Sequence, residues 1–146
     1  MSILVNDVEI SEAEVGQEMQ YHPADSRERA WQMAAESLVV RQLLLQQAAN
    51  NGLSQEQPEE EIIDQLLQQD VIVPEADEAT CQRFYDTHPD SFIDEESGKR
   101  LVFDQAQAPI RDYLHTKAMR IAVAEYIKAL GFSARIKGYE LSSPGM

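Results

Sequence analysis

The sequence predicts a mainly α-helical domain, about two thirds helix, with a small β element that pairs the N- and C-terminal strands. Three observations predict it. Cap-forming residues at Ser11, Asp25 and Asp77 stand just ahead of runs of apolar residues at helical spacing. Proline or glycine punctuates the ends of those runs, at Pro23, Gly52, Pro89 and Gly131. Both ends of the chain carry short apolar stretches of a different, strand-like pattern.

Taken in order, Ile3-Leu4-Val5 and Val8-Glu9-Ile10 flank Asn6-Asp7, a residue pair suited to a two-residue turn between short strands. Ser11 and Glu14 form a capping box, so a short helix is expected to about residue 20, stopped by His22-Pro23. Asp25 and Glu28 repeat that spacing and open the strongest helical pattern of the chain, from Trp31 to Ala48, which Gly52 ends. Over residues 38–45 only Arg41 and Gln42 interrupt the apolar residues, so this helix has little solvent face and is expected at the centre of the core, covered on several sides. Leu38 and Leu44 are both expected in its buried stripe.

Pro58, at a tolerated first-turn position, opens an acidic helix with Ile62, Ile63, Leu66 and Leu67 on one face, ending near Gln69. Val71-Ile72-Val73-Pro74 reads as an extended connector. Asp77 caps the next helix, with Cys81, Phe84, Tyr85 and His88 on one stripe before Pro89. Residues 92–100 form a short polar loop. Residues 103–130 read as one long helix, with a kink expected at Pro109 and a stop at Gly131. The alternation over residues 133–141 predicts a last strand paired with the first, and residues 142–146 a frayed tail.

The chain has 146 residues, 43% of them hydrophobic, which suits a single folding unit spanning residues 1–146: an N-terminal part over 1–92, then a C-terminal helix and strand over 101–141. No apolar run is long enough to span a bilayer, and the first residues lack a signal-peptide layout, so no membrane association and a cytoplasmic location are expected. The single cysteine, Cys81, reads as a buried structural thiol. A net charge of −14 argues against a nucleic-acid partner. That charge is uneven: residues 1–98 hold 4 basic and 22 acidic side chains, whereas residues 99–146 hold 8 and 4. The basic end is therefore suited to dock on the acidic one, within a chain or between chains.

No glycine loop has a phosphate-binding spacing, and His22, His88 and His115 lack neighbours at metal-ligand spacing, so no cofactor, metal or catalytic residue is expected. Adjacent carboxylates such as Glu59-Glu60-Glu61 point apart on a helix and read as solubilising surface.

One stretch carries more specific information. Val73-Pro74-Glu75-Ala76-Asp77-Glu78, leading into Phe84-Tyr85-Asp86-Thr87-His88-Pro89-Asp90-Ser91-Phe92, resembles the segment that enters the isomerase domain of SurA-type and PrsA-type parvulins and of nitrogenase-maturation parvulins. In place of that domain, Leu101-Val102-Phe103-Asp104 leads through Ile110-Arg111-Asp112-Tyr113-Leu114 into the long helix, which resembles the segment leaving it. The opening Val5-Asn6-Asp7-Val8-Glu9-Ile10 and the closing Ala134-Arg135-Ile136-Lys137-Gly138-Tyr139-Glu140-Leu141 resemble the two ends of the family's helical shell, with Asp7 where glycine is more usual. The resemblance implies a bundle like the SurA N-terminal domain, without the catalytic parvulin domain. None of the three histidines lies in a segment like the family's active-site strands, which removes the basis for predicting isomerase activity.

What the resemblance implies is a chaperone-like protein that binds unfolded or partly folded client polypeptide. Trp31, Met33, Phe84, Tyr85 and Tyr113 are the candidate contacts, since apolar or aromatic side chains left uncovered would meet such a client. The alternatives are a dimeric assembly or adaptor protein, and a peptidyl-prolyl isomerase. A homodimer is expected, with residues 103–141 exchanged between chains because the residual loop over 92–100 is short.

Overall fold

The structure is a computed structural model and describes residues 2–139. It is mainly helical, 63% of it, with a small three-stranded antiparallel sheet. Strand β1 (Ile3–Val5) turns into β2 (Val8–Ile10), then come α1 (Glu12–Glu18), a 3-10 turn (Met19–Tyr21), α2 (Arg27–Asn50), α3 (Glu59–Asp70), α4 (Glu78–Thr87), α5 (Phe103–Ser133) and β3 (Ile136–Lys137). Where the sequence reads as one folding unit, the described chain divides into two compact units: residues 2–71 with 123–139, and residues 72–122.

The first unit is organised around α2. Its buried residues Ala34, Ala35, Val39 and Leu43 meet Ile3, Val5, Ile10 and Val15 in one apolar cluster, while Leu44 and Ala48 meet Ile62 and Leu66 in a second. At 100° per residue those six positions go round the helix, so α2 has cores on different sides. Leu38, expected in the buried stripe, is only partly covered.

Local chemistry sets the ends of these elements. Ser11 accepts from the Glu14 amide at 3.1 Å while the Glu14 carboxylate accepts from the Ser11 amide, closing the capping box of α1. The cap of α2 falls one residue later than expected: Ser26, not Asp25, accepts from the Arg29 amide at 3.1 Å. The two neighbours are equally good caps, so local chemistry does not choose between them. Gly52, at φ 80°, ends α2 as expected. The Leu53 amide donates to the Ala48 carbonyl and the Gly52 amide to the Ala49 carbonyl, each at 3.0 Å, which is the Schellman arrangement. Pro58 occupies the N-cap of α3 rather than its first turn, and Glu59, Glu60 and Glu61 follow where the helix dipole favours acid.

The two chain ends meet in the sheet, whose order is β2-β1-β3. Val5 pairs with both Val8 and Ile136. Asn6 and Asp7 have φ of 49° and 71°, the left-handed conformation a two-residue hairpin turn requires. Asn6 joins three segments: its amide donates to the Arg135 carbonyl, its Oδ1 accepts from the Arg135 amide, and its Nδ2 donates to Gln46 Oε1 of α2. Gln46 in turn donates to the Val5 carbonyl. The Arg135–Asp7 ion pair at 3.0 Å has both side chains largely in solvent, so β pairing and the packing of Leu130, Ala134, Ile136 and Tyr139, more than charge, dock the basic end.

Two expectations at the C-terminal end are corrected. Helix α5 runs through Gly131 to Ser133, because that glycine does not take the positive φ that would make it a stop. The last strand shrinks to two residues, since the helix occupies Ser133 and Gly138, at φ 85°, turns the chain away. Glu140, Leu141 and the expected tail over residues 142–146 lie outside the described residues. Pro109 lies within α5 and, having no N–H, leaves one bond of the helical ladder unmade. On the far side of α2, Asp70 Oδ2 accepts from Tyr126 at 2.6 Å and from Asn51 at 3.0 Å, tying α5 to the ends of α2 and α3. Burial first, and the Asp70 bond second, push the Tyr126 phenol well above its ordinary pKa.

The second unit packs α4 against the first turns of α5 around Cys81, Ala106 and Ile110. Cys81 is fully buried, as expected. Among the described residues, no helix is long and apolar enough to cross a membrane.

Leu44→Asp is expected to unfold the first unit, because an unpaired buried carboxylate costs on the order of several kcal/mol against a total of about 5–15. Leu38→Asp is expected to cost much less, and equal urea midpoints for the two variants would contradict this account of α2. Gly138→Ala would place a Cβ 2.7 Å from the Ser2 carbonyl oxygen. It is expected to destabilise the chain by about 1–3 kcal/mol in thermal melts.

Candidate functional site

Of the five candidate contacts, the structure brings three together. Phe84 and Tyr85 are on α4 and Tyr113 on α5, all in the second unit. Trp31 and Met33 are on α2 in the first, partly buried, with Trp31 in ring contact with Tyr139 at 6.2 Å. Trp31 therefore belongs to the rim of the first unit's core.

The site grows from the cap of α4. Asp77 Oδ1 accepts from the Thr80 amide at 2.8 Å. The Thr80 side chain and amide together hold the Asp77 carboxyl below its ordinary value. With the helix started there, Cys81, Phe84, Tyr85 and His88 recur at steps of three and four, and Cys81 is the residue driven fully inside. Phe84 then sits at the middle of a ring cluster. His88 stacks on it at 4.0 Å between centroids, Tyr113 lies at 5.5 Å and Phe92 at 6.1 Å. Tyr85 stacks with Phe92 at 5.9 Å and meets Phe103 edge-on at 5.6 Å. These are the offset and tilted geometries that ring quadrupoles prefer.

The cluster has a dry side and a wet side. Phe84, Tyr85, Phe92 and Phe103 are partly covered, His88 is exposed, and Tyr113 leaves 52% of its surface in solvent. The His88 ring is held by its Nδ1–H, which donates to the Phe84 carbonyl at 2.7 Å. Phe92 takes φ 66°, a conformation an aromatic residue rarely adopts, where the chain leaves α4 for the loop.

That loop is tied back on itself. The Asp94 amide donates to the Lys99 carbonyl and the Gly98 amide to the Asp94 carbonyl, both at 2.8 Å, and Leu101 donates to Phe92 at 2.7 Å. Arg100 locks it to the end of α4. Its guanidinium lies 3.7 Å over the Tyr85 ring and donates to the carbonyls of Tyr85, of His88 at 2.9 Å and of Ser91 at 3.3 Å. A cation on the last carbonyls of a helix is favoured by charge as well as by hydrogen bonding. Tyr85 completes the lock by donating its hydroxyl to the Leu101 carbonyl.

Spacing in the sequence puts His88 on one stripe with Phe84 and Tyr85 but does not single out His88, Arg100, Phe92 or Phe103 as a contact. Three of them lie beyond α4 or at the start of α5, where no shared helical period links them to Phe84. The other histidines are elsewhere: His22 pairs with Glu18 at 2.8 Å, and the Nδ1 of His115 is buried without a hydrogen-bond partner among the described residues. Chemically, the arrangement offers an aromatic platform with open ring surface and a fixed backbone beneath it. Comparison with protein-family models, curated proteins and solved structures finds no match for the chain.

Replacing Arg100 tests the lock directly. Arg100→Met is expected to destabilise the second unit by about 1.5–3 kcal/mol, the range for hydrogen bonds from a charged group. Amide hydrogen exchange across residues 84–101 is the readout, and unchanged protection there would contradict the assignment. Arg100→Lys, which keeps the charge and loses the planar fork, is expected to recover only part of the loss.

Proposed function

We propose that this chain is a chaperone-like polypeptide-binding protein, akin to the helical shell of SurA-type and PrsA-type parvulins, and that apolar segments of a client settle on the ring cluster around Phe84 and Tyr113. The observation that carries the reading is the distribution of exposed apolar side chains. Among the described residues, five of the eight large hydrophobic residues left exposed, Ile72, Ile93, Val102, Tyr113 and Ile121, belong to residues 72–122, the smaller unit. Exposed apolar side chains in contact with further apolar side chains mark an interaction surface, and here half-exposed Tyr113 lies against Phe84 in the ring cluster.

The chemistry of the platform fits such a client. Rings held at fixed tilt lose little entropy when another side chain packs on them, and each aromatic contact adds about 0.5–1.5 kcal/mol beyond the area buried. Binding by residue class would accept many sequences, as a chaperone requires. The reading assigns no reaction to the chain.

Fluorescence anisotropy with labelled unstructured peptides tests it. An apolar, aromatic-bearing peptide is expected to bind, and a Gly-Ser peptide of equal length is not. Tyr113→Ala, at an exposed position, is expected to weaken binding by about tenfold, or about 1.4 kcal/mol, without loss of helical signal. Equal binding of both peptides would overturn the reading, and acceleration of proline isomerisation in a peptide substrate would replace it with an enzymatic one.

A further inference from the structure

The polypeptide-binding reading leaves open what kind of segment the platform selects, and α5 carries a second signal that bears on it. The helix buries Ala106 and Ile110 against α4. Steps of three and four carry the same stripe on to Tyr113, Lys117, Arg120 and Ile121. All four of these are exposed, so the packed stripe of α5 continues beyond its cover as a ring, two cations and an aliphatic side chain.

The charge of this stretch is opposite to that of the chain. Residues 111–121 hold Arg111, Lys117 and Arg120 against the single acid Asp112, whereas the whole protein carries −14. Asp112 lies about a quarter turn from Tyr113 by helical geometry, outside the stripe. Neither Lys117 nor Arg120 is ion-paired with a described residue. An extended chain laid on Tyr113 and Ile121 would therefore pass two unpaired cations on the same face.

We propose that this face selects acidic apolar segments, in which Asp or Glu stands close to aromatic or aliphatic side chains. The inference rests on the polypeptide-binding reading and names its client class. The net charge predicts the reverse, since a protein at −14 attracts basic chains at long range. Within the surface layer the local charges decide, because exposed charges more than about 8–10 Å away are largely screened at ordinary salt.

The test uses the full chain and two labelled peptides with identical apolar residues, one flanked by Glu and the other by Lys at the same positions. The Glu peptide is expected to bind about three- to tenfold more tightly, with the difference shrinking as salt rises. The double variant Lys117→Glu/Arg120→Glu is expected to reverse that order. Lys117→Gln and Arg120→Gln, each expected to reduce the preference, serve if the double variant loses helical signal. A parent chain that binds the Lys peptide as well or better overturns the inference and leaves polypeptide binding standing, as does a preference for Glu that none of the variants moves. Failure to bind either peptide overturns both readings.

Discussion

The first unit depends on the fact that α2 has almost no side to spare for water. An amphipathic surface helix can be satisfied by one neighbour, but the buried residues of α2 go round the axis and require cover from several directions. The hairpin and α1 supply one cover, and α3 with the last turns of α5 supplies the other. The requirement reaches across the sequence, because the elements that meet it come from both ends of the chain. Asn6 is where it becomes specific, since one side chain in a left-handed turn fixes the hairpin, the segment after α5 and α2 at once. Asparagine suits the position because it tolerates that conformation and offers both a donor and an acceptor.

Residues 72–122 are built on a different balance. Their fully buried core is three residues, Cys81, Ala106 and Ile110, two of them small. A unit of this size buries little apolar area on folding, and its stability is correspondingly modest. Ring contacts and the Arg100 lock make up the difference by fixing positions that packing alone leaves loose. A unit held by rings at its rim, rather than by aliphatic residues at its centre, keeps ring surface in contact with solvent. The exposure of Tyr113 thus follows from how the unit is stabilised, and the proposed use of that exposure needs no further rearrangement.

How much of this was legible in the sequence varied with the range of the interaction that decides it. The caps at Ser11 and Asp77, the Asn6-Asp7 turn and the stop at Gly52 were legible because each is settled within a few residues. The order of elements followed, and so did the central place of α2. The start of α2 was missed by one residue because Asp25 and Ser26 compete on equal terms. Gly131 was misread because a glycine stops a helix only if the chain leaves αR there, and in α5 it continues. Of the site, the stripe Cys81, Phe84, Tyr85 and His88 was legible from its spacing. Residue type did not reveal that Trp31 and Met33 belong to the other unit, nor that Arg100 closes the loop, since both are decided by contacts distant in sequence.

The acidic composition and the exposed rings are consistent parts of one surface. An apolar patch on a neutral protein promotes association between copies, whereas a net charge of −14 adds a repulsion between them, averaged over orientations. That repulsion scales with the charge on both bodies and is screened beyond about a Debye length, so it holds back like-charged proteins more than it does a short flexible segment carrying few charges. In the proposed selection, Lys117 and Arg120 would act at contact distance on a segment lying against α5. In the proposed function, net charge and local charge would have separate tasks: the first adds to solubility, and the second sorts among the segments that reach the rings.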